Sequence, residues 1–469
     1  MEERALTKRN TIEAAADRTQ GRIFASFGLH GVRRRAEQYK DEKFTALLHH
    51  ITPTLLRESY YLLKHKAAYG IDEQTWDDYY EDHYNRIDDL HERVHKGSYR
   101  AQPLRRSYIP KEDGKLRPLG IAALEDKIVQ QAVRIVLNQI YEVDFANFSY
   151  GFREGRSQHN ALDALYVGIT QRKINWILDA DIQGCFDNIN HDWLLMTLEK
   201  RIGDKRILRL IRKWLKTGYI EDGKRTRQEI GTPQGAVISP LLANVFLHYV
   251  LDIWAAQWRK VKARGDMIIV RYADDFVIGF QNHSDAEKFL AELKIRIETF
   301  GLKLHPEKTR LIEFGRFAGS NRKKSGKGKP ETFDFLGFTH ISSKNKKGDY
   351  FLRRKTIKKR FKRKCKEVKQ ELWKRMHENV KTTGEWLASV ITGYANYYAV
   401  PGNMRMVKAF HTRCVREWLR VLRRRSHKAR NLKWKEYRKY VEWLITRPRM
   451  VHPFPDLRFK ALKLKVGAG

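Results

Sequence analysis

The sequence is poor in cysteine, short of acid and without a long apolar run. Three cysteines, Cys185, Cys365 and Cys414, are scattered through 469 residues. That excludes a disulfide framework and a zinc site built on cysteine pairs, and a reduced, cytoplasmic setting is the expectation that follows. The most apolar stretch, Val237 to Ala256, is interrupted by Ser239, Pro240, Asn244, His248 and Asp252. No run approaches the ~20 residues a bilayer span needs, so no membrane role is expected. Met1 to Gln20 hold no apolar core of the kind a signal peptide carries. Acid is outnumbered: 55 Asp and Glu stand against 93 Lys and Arg, a net charge of +38. Self-repulsion on that scale opposes compaction, which points to a polyanionic partner, with nucleic acid the natural one.

What is present can build real cores. Apolar residues make up 42% of the chain and aromatics 12%, which excludes a disordered chain, and the length implies two or three domains. The charge is uneven: Lys344 to the end carries 37 basic and 9 acidic residues, a net of +28. A boundary therefore falls near Asn321 to Tyr350, where RKKSGKGKP and SSKNKKGDY read as exposed basic loops. Before it, strand-length apolar runs such as WILDA, MIIV and FVIGF alternate with helix-period segments, an α+β pattern. After it, apolar positions recur at helical spacing: Ile357, Phe361, Val368 and Leu372, then Leu387, Ile391 and Tyr394, then Val407, Phe410, Cys414 and Trp418. This spacing predicts three helices, broken near Thr382 to Gly384 and at Pro401-Gly402. Basic residues fall mostly between the apolar positions, leaving one face to pack and another to meet phosphates.

In so basic a chain, clustered carboxylates need a reason. Asp77-Asp78 and Asp88-Asp89 lie in polar, helix-like stretches and read as solvated surface. Asp274-Asp275 is different, being wedged between two apolar runs in MIIVRYADDFVIGF. That reads as a β-hairpin whose turn holds Tyr272, Ala273, Asp274 and Asp275. Adjacent like charges there raise each other's pKa unless a cation neutralises them, and oxygen ligands suit Mg²⁺ or Mn²⁺. A second acidic strand end, WILDADIQGCFDNINH, puts Asp179 and Asp181 on one face, with Asp187 beyond a glycine turn. If that strand lies beside the hairpin, Asp181 and Asp274 can hold two ions ~4 Å apart, the arrangement that serves nucleotidyl transfer. Two other motifs fail. GSNRKKSGKGKP lacks the P-loop glycine spacing and the Ser or Thr after the Lys, and His49-His50 has no metal-ligand company.

The ordered blocks AAYGIDEQTW, YIPKEDGKLRPLGIAALEDKIVQQAV, SYGFREGRSQHNAL, DADIQGCFDNINH, GTPQGAVISPLLANVFLHYVLD, RYADD, GLKLHPEKTRLIEF, FDFLGF and GYANYY run from Ala67 to Tyr398. In them the chain resembles a bacterial group II intron-encoded reverse transcriptase, or intron maturase. The resemblance implies a right-hand polymerase with an antiparallel palm sheet, followed by a helical thumb. It places a helical extension at residues 1–106, fingers and palm at 107–343, and a basic thumb/maturase domain at 344–469. Matched residue by residue, Asp181, Asp274 and Asp275 become the carboxylates for two Mg²⁺ ions, with Mn²⁺ as a substitute. Asp179 and Asp187 fall outside that set. Lys111 and Arg117 fall where the incoming triphosphate is gripped, and Phe186 where an aromatic wall meets the sugar's 2′ carbon. Gln234 and Gly235 match contacts to the nascent base pair and primer, and Lys308 a basic residue near the site. Gly151, Arg153 and Arg156 match residues that track template phosphates. Arg353, Arg354 and Lys355 are expected to bind RNA.

Expected partners are structured intron RNA, an RNA template, a DNA primer, dNTPs and target DNA. The chain ends soon after RPRMVHPFPDLRF without the paired cysteines of an endonuclease region, so the resemblance is to shorter lineages that lack one. Two other readings remain at this level. One is a relative adapted to DNA repair or phage defence, and the other is an RNA-binding splicing cofactor without catalysis.

Overall fold

The computed structural model describes residues 28–110, 116–227, 229–345 and 347–466. The strands among them are β1 (Leu104–Pro110), β2 (Leu116–Ile121), β3 (Trp176–Asp181), β4 (Tyr219–Glu221), β5 (Lys224–Thr226), β6 (Met267–Tyr272), β7 (Asp275–Phe280), β8 (Arg310–Glu313), β9 (Thr332–Phe335), β10 (Phe338–Lys344) and β11 (Tyr350–Thr356). They form three sheets, in the orders β2-β1-β4-β5, β6-β7-β3-β8 and β11-β10-β9. Every pairing is antiparallel except a short parallel contact between β1 and β4. With many helices beside them, this is the α+β class that the alternating runs predict.

The β6-β7-β3-β8 sheet is covered on both faces, which is why its strands read as nearly continuous apolar runs. Side chains alternate between the faces at the two-residue period of a strand. Leu178, Ala180, Ile269, Phe276 and Ile278 join one large core with the Leu124–Asp144, Ser239–Leu247 and His283–Thr299 helices. Ile177, Val270, Val277 and Ile312 join a second core, which takes Leu162 and Leu165 from the Gln158–Gln171 helix and Phe333, Phe335, Phe338 and Leu352 from the β9–β11 sheet. Held between two cores, the sheet makes a rigid base for whatever its strand ends carry.

The Lys358–Lys374, Val380–Tyr398, Met404–Arg425 and Trp434–Leu444 helices have a core of their own around Leu372, Leu387, Ile391, Phe410, Trp418 and Val441. Between the first two of these helices the break falls one turn earlier than the sequence predicts. Asn379 caps the second helix by accepting from the Lys381 and Thr382 backbone N–H groups, and the helix runs on through Gly384. Gly384 serves packing there: a Cβ would stand 2.2 Å from Leu444 Cδ2 and 2.6 Å from Trp418 Cη2. The Pro401-Gly402 break is where it was expected. Finally, the Pro455–Val466 helix lies against the Gln158–Gln171 helix, and Arg458 pairs there with the fully buried Asp163.

Candidate active site

The register of the sheet brings the carboxylates together. Asp181 ends β3, Asp275 begins β7, and the two are direct partners across the strands. Residues so opposed share a face, with Cβ atoms about 4.5–5.5 Å apart. Asp274 sits in the turn before β7, so Asp275 belongs to the strand and the turn itself is only Ala273-Asp274, tighter than the sequence suggests. Burial raises the Asp275 carboxyl well above the usual carboxylate range, and Asp179, Asp181 and Asp274 push it further. Burial also raises Asp274, with Asp181 adding to the effect while Arg117 and Lys308 oppose it. Mutual repulsion of this kind is relieved by a proton or a cation. Asp179 is pushed up to about 6 by burial, against Arg310 at 3.5 Å.

A short antiparallel bridge, Ile182 to Leu304, sets a lysine beside the cluster. Gln183 N donates to Lys303 O at 2.8 Å and His305 N to Asp181 O at 2.8 Å, lashing residues 303–305 to the end of β3. Lys308 Nζ thereby reaches Asp181 Oδ2 at 2.6 Å. Among the described residues, no three acidic, histidine or cysteine side chains are already closed around one point. Chemically, Asp181, Asp274 and Asp275 still fit a hard divalent cation, because all their donors are carboxylate oxygens under mutual repulsion.

Beside this cluster Gly184, at φ +55°, turns the chain out of β3 into the Cys185–Asn188 helical turn that carries Phe186. Phe186 is half-buried, and its carbonyl accepts from Thr232 N at 2.7 Å. The following TPQG turn is tied on both sides. Gln234 Nε2 donates to Asp187 Oδ1 at 2.8 Å, and Gly120 N of β2 donates to Gln234 O at 2.7 Å. Gly235, at φ +110°, passes so close that a Cβ would lie 2.9 Å from Gly120 O. A cavity of about 270 Å³ opens here, lined by Arg106, Pro118, Gly120, Asp187, Tyr219 and Gln234 among others. Arg117 is exposed on β2 and lies close enough to influence Asp274. Lys111 lies outside the described residues.

Four residues expected to contact nucleic acid are engaged within the protein. Arg153 is buried, pairs with Glu142 at 2.7 Å and donates to the Ala146 and Ser149 carbonyls. Arg156 is half-buried and donates to Asn147 O at 2.7 Å. Gly151 does permit a close backbone approach, but to the hairpin, since a Cβ would stand 2.4 Å from Ala273 N. The SYGFREGRS block is thus a buttress beneath the hairpin. Arg354 is likewise buried, 1% exposed, with its Nη1 3.2 Å from Asp163 Oδ1, so its charge is engaged inside the protein. Arg353 is half-buried and Lys355 exposed. Sequence reading also missed Asn244 and Asp252, which grip Arg271 beneath the turn. Their signal was available: with His248 they are polar residues spaced by four inside the apolar stretch Val237 to Ala256.

The family model for reverse transcriptase (RNA-dependent DNA polymerase) matches residues 109–340, the segment that carries this cluster. The chain is 38% identical over 229 residues to the group II intron-encoded protein LtrA of Lactococcus lactis subsp. cremoris, covering 47% of this chain and 37% of LtrA. Residues 109–340 thus form a reverse transcriptase domain, and the chain is similar to group II intron-encoded proteins. It is also 34% identical over 252 residues to protein YkfC of Escherichia coli strain K12, across 47% of this chain and 66% of YkfC. Nuclear intron maturase 2, mitochondrial, of Arabidopsis thaliana is 24% identical over 238 residues, covering 42% of this chain and 30% of that protein. The matched segment spans little more than a third of LtrA's length. No helix among its described residues is long and apolar enough to cross a membrane.

Proposed function

We propose that this reverse transcriptase copies group II intron RNA into DNA from a primer's 3′ hydroxyl, in the cytoplasm, and grips the same RNA to assist splicing and retrohoming at a DNA target. The observation that carries the reading is the direct cross-strand pairing of Asp181 with Asp275, with Asp274 in the adjoining turn. Residues 107–343 act as fingers and palm and 344–469 as thumb and maturase domain, with 1–106 as a helical extension. Separate packing of the helices after Lys358 supports that division.

Two Mg²⁺ ions, or Mn²⁺ in their place, would be held by Asp181, Asp274 and Asp275 and would stabilise the attacking and leaving oxygens of nucleotidyl transfer. The chain's own residues do the rest. Lys308 and Arg117 border the carboxylates and offset charge on the transferring phosphates; Lys111, outside the described residues, is assigned the same task. Gln234 and Gly235, fixed against Gly120, shape the floor for the nascent base pair and the primer end. Phe186 stands against the sugar, where the 2′ hydroxyl distinguishes a ribonucleotide.

Primer extension on an RNA template tests this reading with dNTPs and ribonucleotides side by side. Phe186→Val should lower discrimination against ribonucleotides by roughly 10–100-fold. Unaltered discrimination would remove Phe186 from that role. For the RNA grip, alanine at Arg353 and Lys355 should weaken RNA binding and reduce the slope of log K against log salt by about 1 for each phosphate no longer neutralised. An unchanged slope would place those charges away from the RNA.

A further inference from the structure

Arg271, the first residue of the RYADD block, is fully buried, yet it contacts no carboxylate of the cluster. Its guanidinium fork meets Asp252 twice, Nε to Oδ1 at 2.7 Å and Nη2 to Oδ2 at 2.5 Å. The remaining nitrogen, Nη1, donates to Asn244 Oδ1 at 3.0 Å and to Ala273 O at 2.9 Å. Ala273 is the residue before Asp274, and it holds φ +58°, a left-handed conformation that side chains other than glycine adopt at a cost. That strained residue is clamped from both sides. Arg271 takes its carbonyl, while the bare Cα of Gly151 packs against its nitrogen and Asn244 Nδ2 fixes Gly151 O at 2.7 Å. Asp252 closes a π-helical turn, His248–Asp252, set between the Ser239–Leu247 and Ile253–Val261 helices. Such wide turns shift the residues that follow around the helix axis and are frequent at functional sites.

A buried ion pair is seldom kept for stability, because apolar residues of equal volume usually serve as well. Here the remaining nitrogen of a fixed charge pair donates, besides Asn244, to a single peptide carbonyl, the one that enters Asp274. We propose that Arg271, oriented by Asp252 and Asn244, is the positioning residue of the polymerase site. By fixing the Ala273 peptide it sets the direction in which Asp274 presents its carboxylate to a divalent cation. The inference rests on the polymerase reading for its catalytic consequence, but not for its metal-binding one.

The test uses the full chain and Mn²⁺ as probe, with free Mn²⁺ followed by electron paramagnetic resonance. Asn244→Ala removes a support without unpairing the Arg271 charge, and Arg271→Lys keeps the charge but loses the fork. Val136→Ala, in the Leu124–Asp144 helix away from the hairpin, serves as a control for plain loss of stability. Asn244→Ala should raise the Mn²⁺ concentration at half-saturation about tenfold and lower kcat for primer extension at least tenfold, with primer–template Kd within twofold of wild type. Val136→Ala should leave Mn²⁺ affinity unchanged. Should Arg271→Lys fail to fold, Asn244→Ala alone decides. Wild-type Mn²⁺ affinity in Asn244→Ala would overturn the proposal, as would an equal loss in Val136→Ala. A wild-type chain that binds Mn²⁺ but extends no primer would instead overturn the polymerase reading, and the Mn²⁺ shift would still judge the positioning role.

Discussion

Replacing Asp275 by asparagine should reduce primer extension on RNA by ~10³-fold or more, while RNA affinity at moderate salt stays near wild type. The substitution keeps shape and volume but removes one anion from a cluster whose members already raise one another. Folding should not suffer, since repulsion with Asp179, Asp181 and Asp274 is relieved. A raised or unchanged melting temperature together with lost catalysis is therefore the expected signature, read by thermal unfolding and single-turnover extension on one preparation. Retained extension would remove Asp275 from the metal-binding set. Loss of RNA binding would mean that the carboxylate serves the fold.

The second large effect is on stability. Asp163 is fully buried, with Arg354 Nη1 3.2 Å from one oxygen and Arg458 paired with the other. Asp163 lies on the Gln158–Gln171 helix and its partners on β11 and the Pro455–Val466 helix, so one carboxylate joins three elements far apart in sequence. Asp163→Ala would strand the Arg354 guanidinium in the interior and leave Arg458 without its carboxylate, a change that costs about 3–5 kcal/mol. Chemical denaturation should show that loss, and proteolysis should reach the Pro455–Val466 helix first. The triple change Asp163→Leu, Arg354→Met, Arg458→Met should recover most of the stability, because the charges vanish together. A loss under about 1 kcal/mol in Asp163→Ala would show that the charges reach water instead.

Much of the site was legible because its signals are local. Apolar runs flanking Asp274-Asp275 dictate a hairpin, and alternation in WILDAD fixes which face carries Asp179 and Asp181. Lys308 was placed near the site by its block, and the lashing of residues 303–305 to the end of β3 shows how it arrives there. Charges read as exposed fared worse, because a buried partner is a tertiary fact. Arg153 looks free until Glu142, on the preceding helix, closes over it. Arg353, Arg354 and Lys355 form a basic run, but on β11 neighbours point to opposite faces, so the middle one turns inward to Asp163. Gly384 read as a helix breaker because sequence shows its backbone freedom and hides the Trp418 ring against it. The Arg271 grip needed both facts at once, a polar face spaced by four on one segment and a lone arginine in an apolar strand on another.

The most direct measurement is the anomalous scattering of Mn²⁺ in crystals of the protein with an RNA template, a DNA primer ending in a 3′-deoxynucleotide, and the next dNTP. The account predicts Mn²⁺ density in the space shared by Asp181, Asp274 and Asp275, with Lys308 Nζ withdrawn from Asp181 toward phosphate. Bound dNTP with Mn²⁺ elsewhere, and the Lys308–Asp181 pair still closed, would contradict it.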